Sequence, residues 1–506
     1  MRVLFAASEA VPFVKTGGLA DVIGSLPQAL QKTGKVEVSV VLPKYNCINT
    51  SDHKLVPTGM RAEVPMNGRV EWASVWECRR EIPYYFIENP RFYDRPHPYQ
   101  ENGSDYLDNA ERFIFFSRAV LELCHRLNFR PDIIHCHDWH TALIPVLLRN
   151  KKFFFAGQPQ VATVFTVHNA GYQGRFPLEK FAQTCLSPNL FSFNSGLRHG
   201  DGINLLKGGL LFSDMITTVS PCYSEELKSW PGGNGLEEVF GRRSDRMFGI
   251  LNGIDLAEWD PATDPFLARN YDVNHPEGKQ ECKRDLQSRM GLPVRDDVPV
   301  IASVMRLTEQ KGAHLIEAIS GYLGSNDIQF IILGSGDPDK EENLRRIADY
   351  YPGNFRAIVG DAQSFDPALV HRVNAGADIF LMPSLYEPCG LCQMFSLRYG
   401  AVPVVRKVGG LNDTVQEYHP KTHKGNGFTF FDPIPETFQD AVARALTFFR
   451  RRKFHWKLIM QNGMNADFSW ENSANHYLEL YEKAVRRKTA GRLFAQRSCQ
   501  FCAQGV

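Results

Sequence analysis

The chain has no long apolar run, no dominant charge and no cysteine spacing that frames a disulfide scaffold. Its longest uncharged stretch, Phe153 to Gly174, contains Gly, Pro, Gln and Asn and reads as strand plus loop, so no bilayer-spanning segment is expected. The start "MRVLFAASEA" has too short an apolar run for a signal peptide, and Glu9 interrupts it. Against 57 Lys and Arg stand 56 Asp and Glu, a net charge of +1, so nothing global points to nucleic acid or an anionic membrane. The 11 cysteines are an odd number without framework spacing, which suggests reduced thiols and a cytoplasmic protein. Two C-x-x-C pairs, Cys389/Cys392 and Cys499/Cys502, favour plain thiols over a shared zinc site. No short repeat or low-complexity segment is present. Neither G-x-G-x-x-G nor the P-loop pattern follows the first strand, which argues against NAD chemistry.

What is present is alternation. At 506 residues with 43% apolar content, the chain is long enough for two large domains or three small ones, each with a real core. Strands are expected at 2–7, 36–42, 132–136, 161–167 and 215–219, then at 298–304, 328–333, 355–359, 378–382 and 402–406. Between them lie helical patterns such as Leu107–Leu127, His314–Leu323, Glu341–Tyr350 and Glu436–Phe449. Strand–helix alternation run twice predicts an α/β protein with two doubly wound parallel sheets. The seam falls at 252–298, rich in turn residues and proline. The last helix gathers Ala474, Tyr477, Leu478, Tyr481 and Val485 on one face that must pack on something. The expected parts are 1–255, 256–470, a helix at 471–489 and a mobile tail at 490–506. The run Arg450–Lys453 closes a helix, where cations suit the dipole.

Four stretches look chemical. In "FVKTGGLADVIGSL", Lys15, Gly17 and Gly18 sit where the first strand turns into a helix. Glycines there let a phosphate approach the backbone, helix-start amides face it, and lysine adds charge. A solvated lysine on a glycine-bearing turn fits the same residues. In "ASVMRLTEQKG", Arg306 and Lys311 flank another strand exit and again suit a phosphate, or are two exposed loop charges. In "LMPSLYEPCGLCQMF", Pro388 fixes the backbone after Glu387, and Cys389, Gly390 and Leu391 open a helix. Glu387 suits sugar hydroxyls, or serves as a helix-start anion.

The fourth is "IIHCHDWHTAL" with "TVFTVHNAGYQG". His135, His137, Asp138 and His140 lack the spacing of a zinc ligand set. Polar groups beside strand ends suit sugar hydroxyls, with Trp139 or Tyr172 covering ring faces. A hydrogen-bonded structural role fits each lone histidine equally. Asp337 and Asp339 form D-x-D, but precede a helix where acidic residues cap.

Taken together, "KTGGLADV", "YDR", "HDWHT", "TVHNAGYQG", "ILNGID", "RLTEQKG", "EPCGL", "YGAVPVVR" and "GGLNDTV" resemble, in order, the bacterial glycogen synthase and plant starch synthase family. The resemblance covers 1–487. It implies the GT-B fold, with two Rossmann-like domains across a cleft and a C-terminal helix crossing back to the first. It implies a glycosyltransferase that moves glucose from a nucleotide sugar to the non-reducing end of an α-1,4-glucan, such as glycogen. Configuration is retained by front-face attack, and neither metal nor cofactor is needed. ADP-glucose is the default donor for bacterial-type members.

Carried over residue by residue, the resemblance makes Lys15 and the amides of Gly17 and Gly18 ligands of the donor diphosphate. Arg306 and Lys311 meet it from the other domain. Glu387 holds glucose hydroxyls, with Cys389, Gly390 and Leu391 beside it. His168 presents its backbone carbonyl near the anomeric carbon, and Asn252 supports the site at the seam. Asp21, Tyr93 and Asp138 line the acceptor side. Four departures stand out: Met305 before the arginine, Cys392 near the phosphate helix, the loop "SWPGGNG", and Asp361 where many relatives carry an aromatic that stacks on the base. Asp361 keeps UDP-glucose open as donor. The alternatives are another GT-B transferase, or a glucan-binding relative without catalysis, against which intact Lys15, His168, Arg306, Lys311 and Glu387 argue.

Overall fold

The computed structural model describes residues 1–101, 103–126, 130–149, 161–360 and 366–503. The chain forms two compact units. One comprises Met1–Val219, Ser224–Gly253 and the chain from Trp470 onward; the other comprises Ser220–Tyr223 and Ile254–Ser469.

The first unit is built on nine strands: β1 Arg2–Ala6, β2 Glu37–Pro43, β3 Val56–Met66, β4 Arg69–Arg79, β5 Pro83–Glu88, β6 Ile133–His137, β7 Ala162–Val167, β8 Met215–Thr218 and β9 Met247–Gly249. They lie side by side in the order β9-β8-β7-β6-β1-β2-β5-β4-β3. The run from β9 to β5 is parallel, and β4 and β3 close the edge antiparallel. Parallel strands buried on both faces read as continuous apolar runs, which is why β1, β2 and β7 were legible. The edge hairpin β3–β4 was not among the expected strands. Its signals were there: Ala62, Val64 and Met66 alternate inward, and Asn67-Gly68 makes the turn with Gly68 at φ +74°.

Register carries the chemistry to one end of this sheet. Ala6 pairs with Cys136, and His137 with Thr166, so β1, β6 and β7 end together at their carboxyl termini. The C-terminal helix Trp470–Ala503 belongs to this unit and packs against helix Gly18–Lys32 and β7. Ala474, Tyr477, Leu478 and Tyr481 are buried in that contact, and Ala484 takes the place expected of half-buried Val485. The Tyr481 hydroxyl lies 2.8 Å from His135 Nδ1. The helical backbone continues through Ala503, where a tail was expected after Thr489. The segment "GRLFAQRSCQ" contains no proline and carries mainly residues that tolerate a helix.

The second unit holds β10 Val300–Leu307, β11 Gln329–Gly336, β12 Phe355–Val359, β13 Ile379–Met382, β14 Val402–Arg406 and β15 Phe428–Phe430. Their order is β12-β11-β10-β13-β14-β15, and every pairing is parallel. Alternate residues enter opposite cores. Ile301, Phe330 and Ile332 join one cluster, while Val300, Ala302, Ile331 and Leu333 join another. A sheet covered on both faces by apolar clusters is the doubly wound arrangement. The pattern His314–Leu323 resolves into two short helices, Ala313–Ala318 and Ser320–Ser325, rather than one.

Candidate active site

In the first unit the site grows from the exit of β1. Helix Gly18–Lys32 begins on the second glycine, with Gly17 as its N-cap residue. Gly17 has φ −153° and ψ −170°, an extended backbone that any residue adopts. A Cβ built on Gly17 or Gly18 meets nothing within 4 Å. The fold therefore requires glycine at neither position, and both leave room for something to come close. Lys15 is exposed, and its Nζ lies 2.7 Å from Asp21 Oδ1 in the first helical turn.

One expectation needs correction here. The Gly17 N–H is not open to a ligand, because it donates to Glu9 Oε2 at 3.2 Å. The Thr16 N–H and hydroxyl donate to the same oxygen at 2.5 and 2.9 Å. Burial pushes the Glu9 carboxyl above its usual range, against the pull of these bonds. In the sequence Glu9 stands out only as a charge interrupting an apolar run. An acid buried beside a strand exit, seven residues before the turn it holds, leaves no periodic signal.

Asp138 follows β6 in a left-handed conformation, φ +54°. Its Oδ1 accepts from the His168 N–H at 2.7 Å, and the Asn169 N–H also bonds to this carboxylate. Burial raises the Asp138 carboxyl to about 7, with the nearby Glu9 charge adding to the rise. The peptide between residues 168 and 169 thus turns its N–H toward Asp138. In a trans peptide the carbonyl points the opposite way, so the His168 carbonyl faces away from Asp138. The His168 ring is also fixed, with Nε2 at 3.0 Å from His137 Nδ1. Burial pushes His168 and His140 each down to about 3, so both rings are neutral near pH 7. No group of three or more His, Cys, Asp or Glu among the described residues is placed to hold a metal ion.

Tyr93 is a second correction. It does not line an open surface: its ring is buried among Tyr45, Phe92 and Phe115, and its hydroxyl donates to the Arg112 carbonyl at 3.0 Å. Trp139 likewise packs inward, against Phe113 and Phe176, whereas Tyr172 is exposed. Asn252 is buried, and its Oδ1 has no hydrogen-bond partner among the described residues. A buried amide oxygen without a partner is costly unless a ligand or water supplies a donor.

The second unit gathers its groups at the exits of β10 and β13. Arg306 lies near the end of β10, exposed, and its side chain makes no hydrogen bond or ion pair to a described residue. Lys311 follows in a single 3-10 turn, and its Nζ lies 2.5 Å from Glu387 Oε2. Ser384 Oγ donates to the same oxygen at 3.1 Å. Glu387 is buried and Lys311 mostly so. Cys389 is buried; Gly390 has φ +74°; Leu391 is the N-cap of the short helix Cys392–Arg398. Gln393 Nε2 donates to the carbonyls of Cys389 and Gly390 at 3.0 and 3.1 Å, which pins this turn. Cys389 and Cys392 are not joined in a disulfide. The side chains of Cys499 and Cys502, and Asp361 altogether, lie outside the described residues.

Gly409 and Gly410 were quoted within a motif but given no role. The Gly410 N–H donates to the Glu387 carbonyl at 3.0 Å, and a Cβ on Gly409 would stand 2.1 Å from that same oxygen. This glycine pair lets one backbone lie directly on another and so sets the height of Glu387. Asp337 caps helix Pro338–Tyr350 by accepting from the Asp339 N–H at 3.0 Å, as expected of an acid at a helix start.

Comparison with known proteins gives the chain's relatives. Residues 2–242 match the model of the starch synthase catalytic domain, and 287–452 match that of glycosyl transferases group 1. The chain is 45% identical to the glycogen synthase of an Anaeromyxobacter species, over 95% of this chain and 99% of that one. It is 42% identical to the glycogen synthase of Geotalea daltonii, over 96% and 100%. Among solved structures, it superposes on the catalytic domain of starch synthase IV from Arabidopsis thaliana, bound to ADP and acarbose, with a TM-score of 0.87 and 35% identity over 96% of this chain and 99% of that one. A sucrose-phosphate synthase from Thermosynechococcus elongatus shares the fold alone, with a TM-score of 0.59 at 16% identity.

Proposed function

As a chain that belongs to the bacterial glycogen synthase and plant starch synthase family, it is a glycosyltransferase of the GT-B fold that elongates a glucan, and we propose that its donor is ADP-glucose and its acceptor the non-reducing end of an α-1,4-glucan. The starch synthase IV relative was solved with ADP, which supports the adenine nucleotide. The observation that carries the reading is the space over Gly17 and Gly18. These are glycines the fold does not need, beside a lysine, at a strand exit.

In this reading Lys15, the Gly18 amide, Arg306 and Lys311 are ligands of the donor diphosphate. Breaking the glycosidic bond puts growing negative charge on the β-phosphate. Fixed cations stabilise it where it develops, and losing one such donor costs about 2.7–4 kcal/mol of barrier in comparable oxyanion sites. Glu387, set by Lys311, Ser384 and the glycine pair, accepts from glucose hydroxyls. The His168 carbonyl, turned outward by the Asp138 contact, faces the positive charge that builds near the anomeric carbon. Asp138 acts mainly through that peptide. Asp21 releases Lys15 to the phosphate and lies on the acceptor side. The acceptor hydroxyl attacks the face the leaving group departs from, so configuration is retained.

The test is a paired assay without added metal. Purified protein is incubated with glycogen and either ADP-glucose or UDP-glucose, and nucleoside diphosphate release and chain elongation are followed. The reading expects transfer from ADP-glucose. Transfer from UDP-glucose alone would overturn the donor assignment and point to the region of Asp361. Transfer from neither would overturn the acceptor assignment as well.

A further inference from the structure

An acid, Glu9, lies beneath the lysine–glycine turn. Glu9 is buried at 4% exposure, and burying a carboxylate is costly unless it is well bonded. Here it is well bonded. One oxygen takes three donors from consecutive residues, the Thr16 N–H, the Thr16 hydroxyl and the Gly17 N–H. The other oxygen lies 3.3 Å from the Tyr99 hydroxyl, whose single proton is shared with Ser8 Oγ at 2.7 Å. The Tyr99 ring in turn stacks on His140 at 4.8 Å between centroids. One oxygen is thus anchored to the turn, and the other faces the Tyr99 hydroxyl in the interior of the unit.

We propose that Glu9 is a positioning residue for donor binding, fixing the turn that carries Lys15 by drawing the amides of residues 16 and 17 inward. With those two amides committed, Gly18 presents the first uncommitted N–H of the helix, three residues after Lys15. Gly17 is extended, and a Cβ built on Gly17 or Gly18 meets nothing within 4 Å, so side-chain packing over these glycines does not hold the turn. An apolar residue at this position would fill the space but leave two amides and a hydroxyl unbonded. The turn would then be free to rotate its peptides toward solvent, and the lysine and the Gly18 amide would no longer be held in register. The role rests on the donor reading above, and places the cost of losing Glu9 on the phosphate end of the donor.

The test is titration of the full chain with ADP, together with steady-state kinetics. Glu9→Ala weakens ADP binding and raises the donor KM by about tenfold or more, the scale of one charge-assisted hydrogen bond, with a smaller change in glucan KM. Glu9→Gln restores part of the loss, because its amide oxygen still accepts. Thr16→Val weakens ADP binding less and adds nothing in the Glu9→Ala background, since both break one contact set. Wild-type ADP affinity in Glu9→Ala, with only the melting temperature lowered, would overturn the proposal. If Glu9→Ala does not fold, unchanged affinity in Thr16→Val overturns it. A wild-type chain that binds neither ADP nor UDP would instead overturn the donor reading itself.

Discussion

Lys311 Nζ sits 2.5 Å from Glu387 Oε2, at the meeting of two strand exits in the second unit. Removing one partner of a buried pair leaves an uncompensated charge and costs about 3–5 kcal/mol. Lys311 is the more exposed member, at 17% against 6%, so the lower end of that range applies. Lys311→Met therefore lowers the melting temperature, and adding Glu387→Gln restores most of it. Turnover falls about a hundredfold or more in either single variant and stays low in the double. An active, stable double variant would show that the pair is structural only.

Gly17 and Gly18 separate fold from function. Either glycine changed to alanine keeps an allowed backbone and meets no atom within 4 Å. Stability is unchanged or rises by about 0.4–1 kcal/mol, through a less flexible unfolded chain. kcat/KM with the nucleotide sugar falls by about tenfold or more, where the methyl meets the diphosphate. Full activity in both variants would remove the diphosphate from this turn.

Asp138 gives a pH signature with a definite sign. Its carboxyl is raised to about 7 in the folded chain, mainly by burial. Between about pH 4 and 7 the folded state holds a proton that the unfolded state has released. The Asp138 contribution therefore weakens stability as pH rises through that window. The full span is on the order of 4 kcal/mol. Asp138→Asn keeps an oxygen for the His168 N–H and removes the charge. Its melting temperature gains on wild type as pH rises from 4 to 8; parallel curves would contradict the assignment.

The histidines run the other way. His168 and His140 are each pushed down to about 3 by burial, while the unfolded values lie near the ordinary 6.5. Below about pH 6.5 the unfolded state takes protons the folded state refuses, so their contribution is lost as pH falls toward 3. Imidazole resonances of these two residues show no titration between pH 5 and 8 by NMR. A midpoint inside that range for either would contradict the neutral-ring geometry.

Much of this was legible because parallel sheets are simple to read. Both central strand sets are continuous apolar runs, and the helices between them are amphipathic, so two doubly wound units followed from pattern alone. Lys15, Arg306, Lys311 and Glu387 stand out as candidates because strand exits are where such folds place ligands. Glu9 and the Gly409–Gly410 pair were not. Each acts by touching backbone brought near by the tertiary fold, and neither periodicity nor spacing records that. Tyr93 misled for the same reason: a tyrosine in a family motif looks the same whether it faces a ligand or the core. The hairpin β3–β4 was overlooked although its alternation and Asn-Gly turn were present in the chain.

The most direct test of the account compares ADP with AMP. The two share base and ribose, and differ in the β-phosphate that Lys15 is assigned to hold. Titration of wild type and Lys15→Met with each nucleotide isolates that contact. Lys15→Met weakens ADP by about tenfold or more, the scale of a lost charged hydrogen bond, and leaves AMP nearly unchanged. Equal losses for both nucleotides, or none for either, would contradict it.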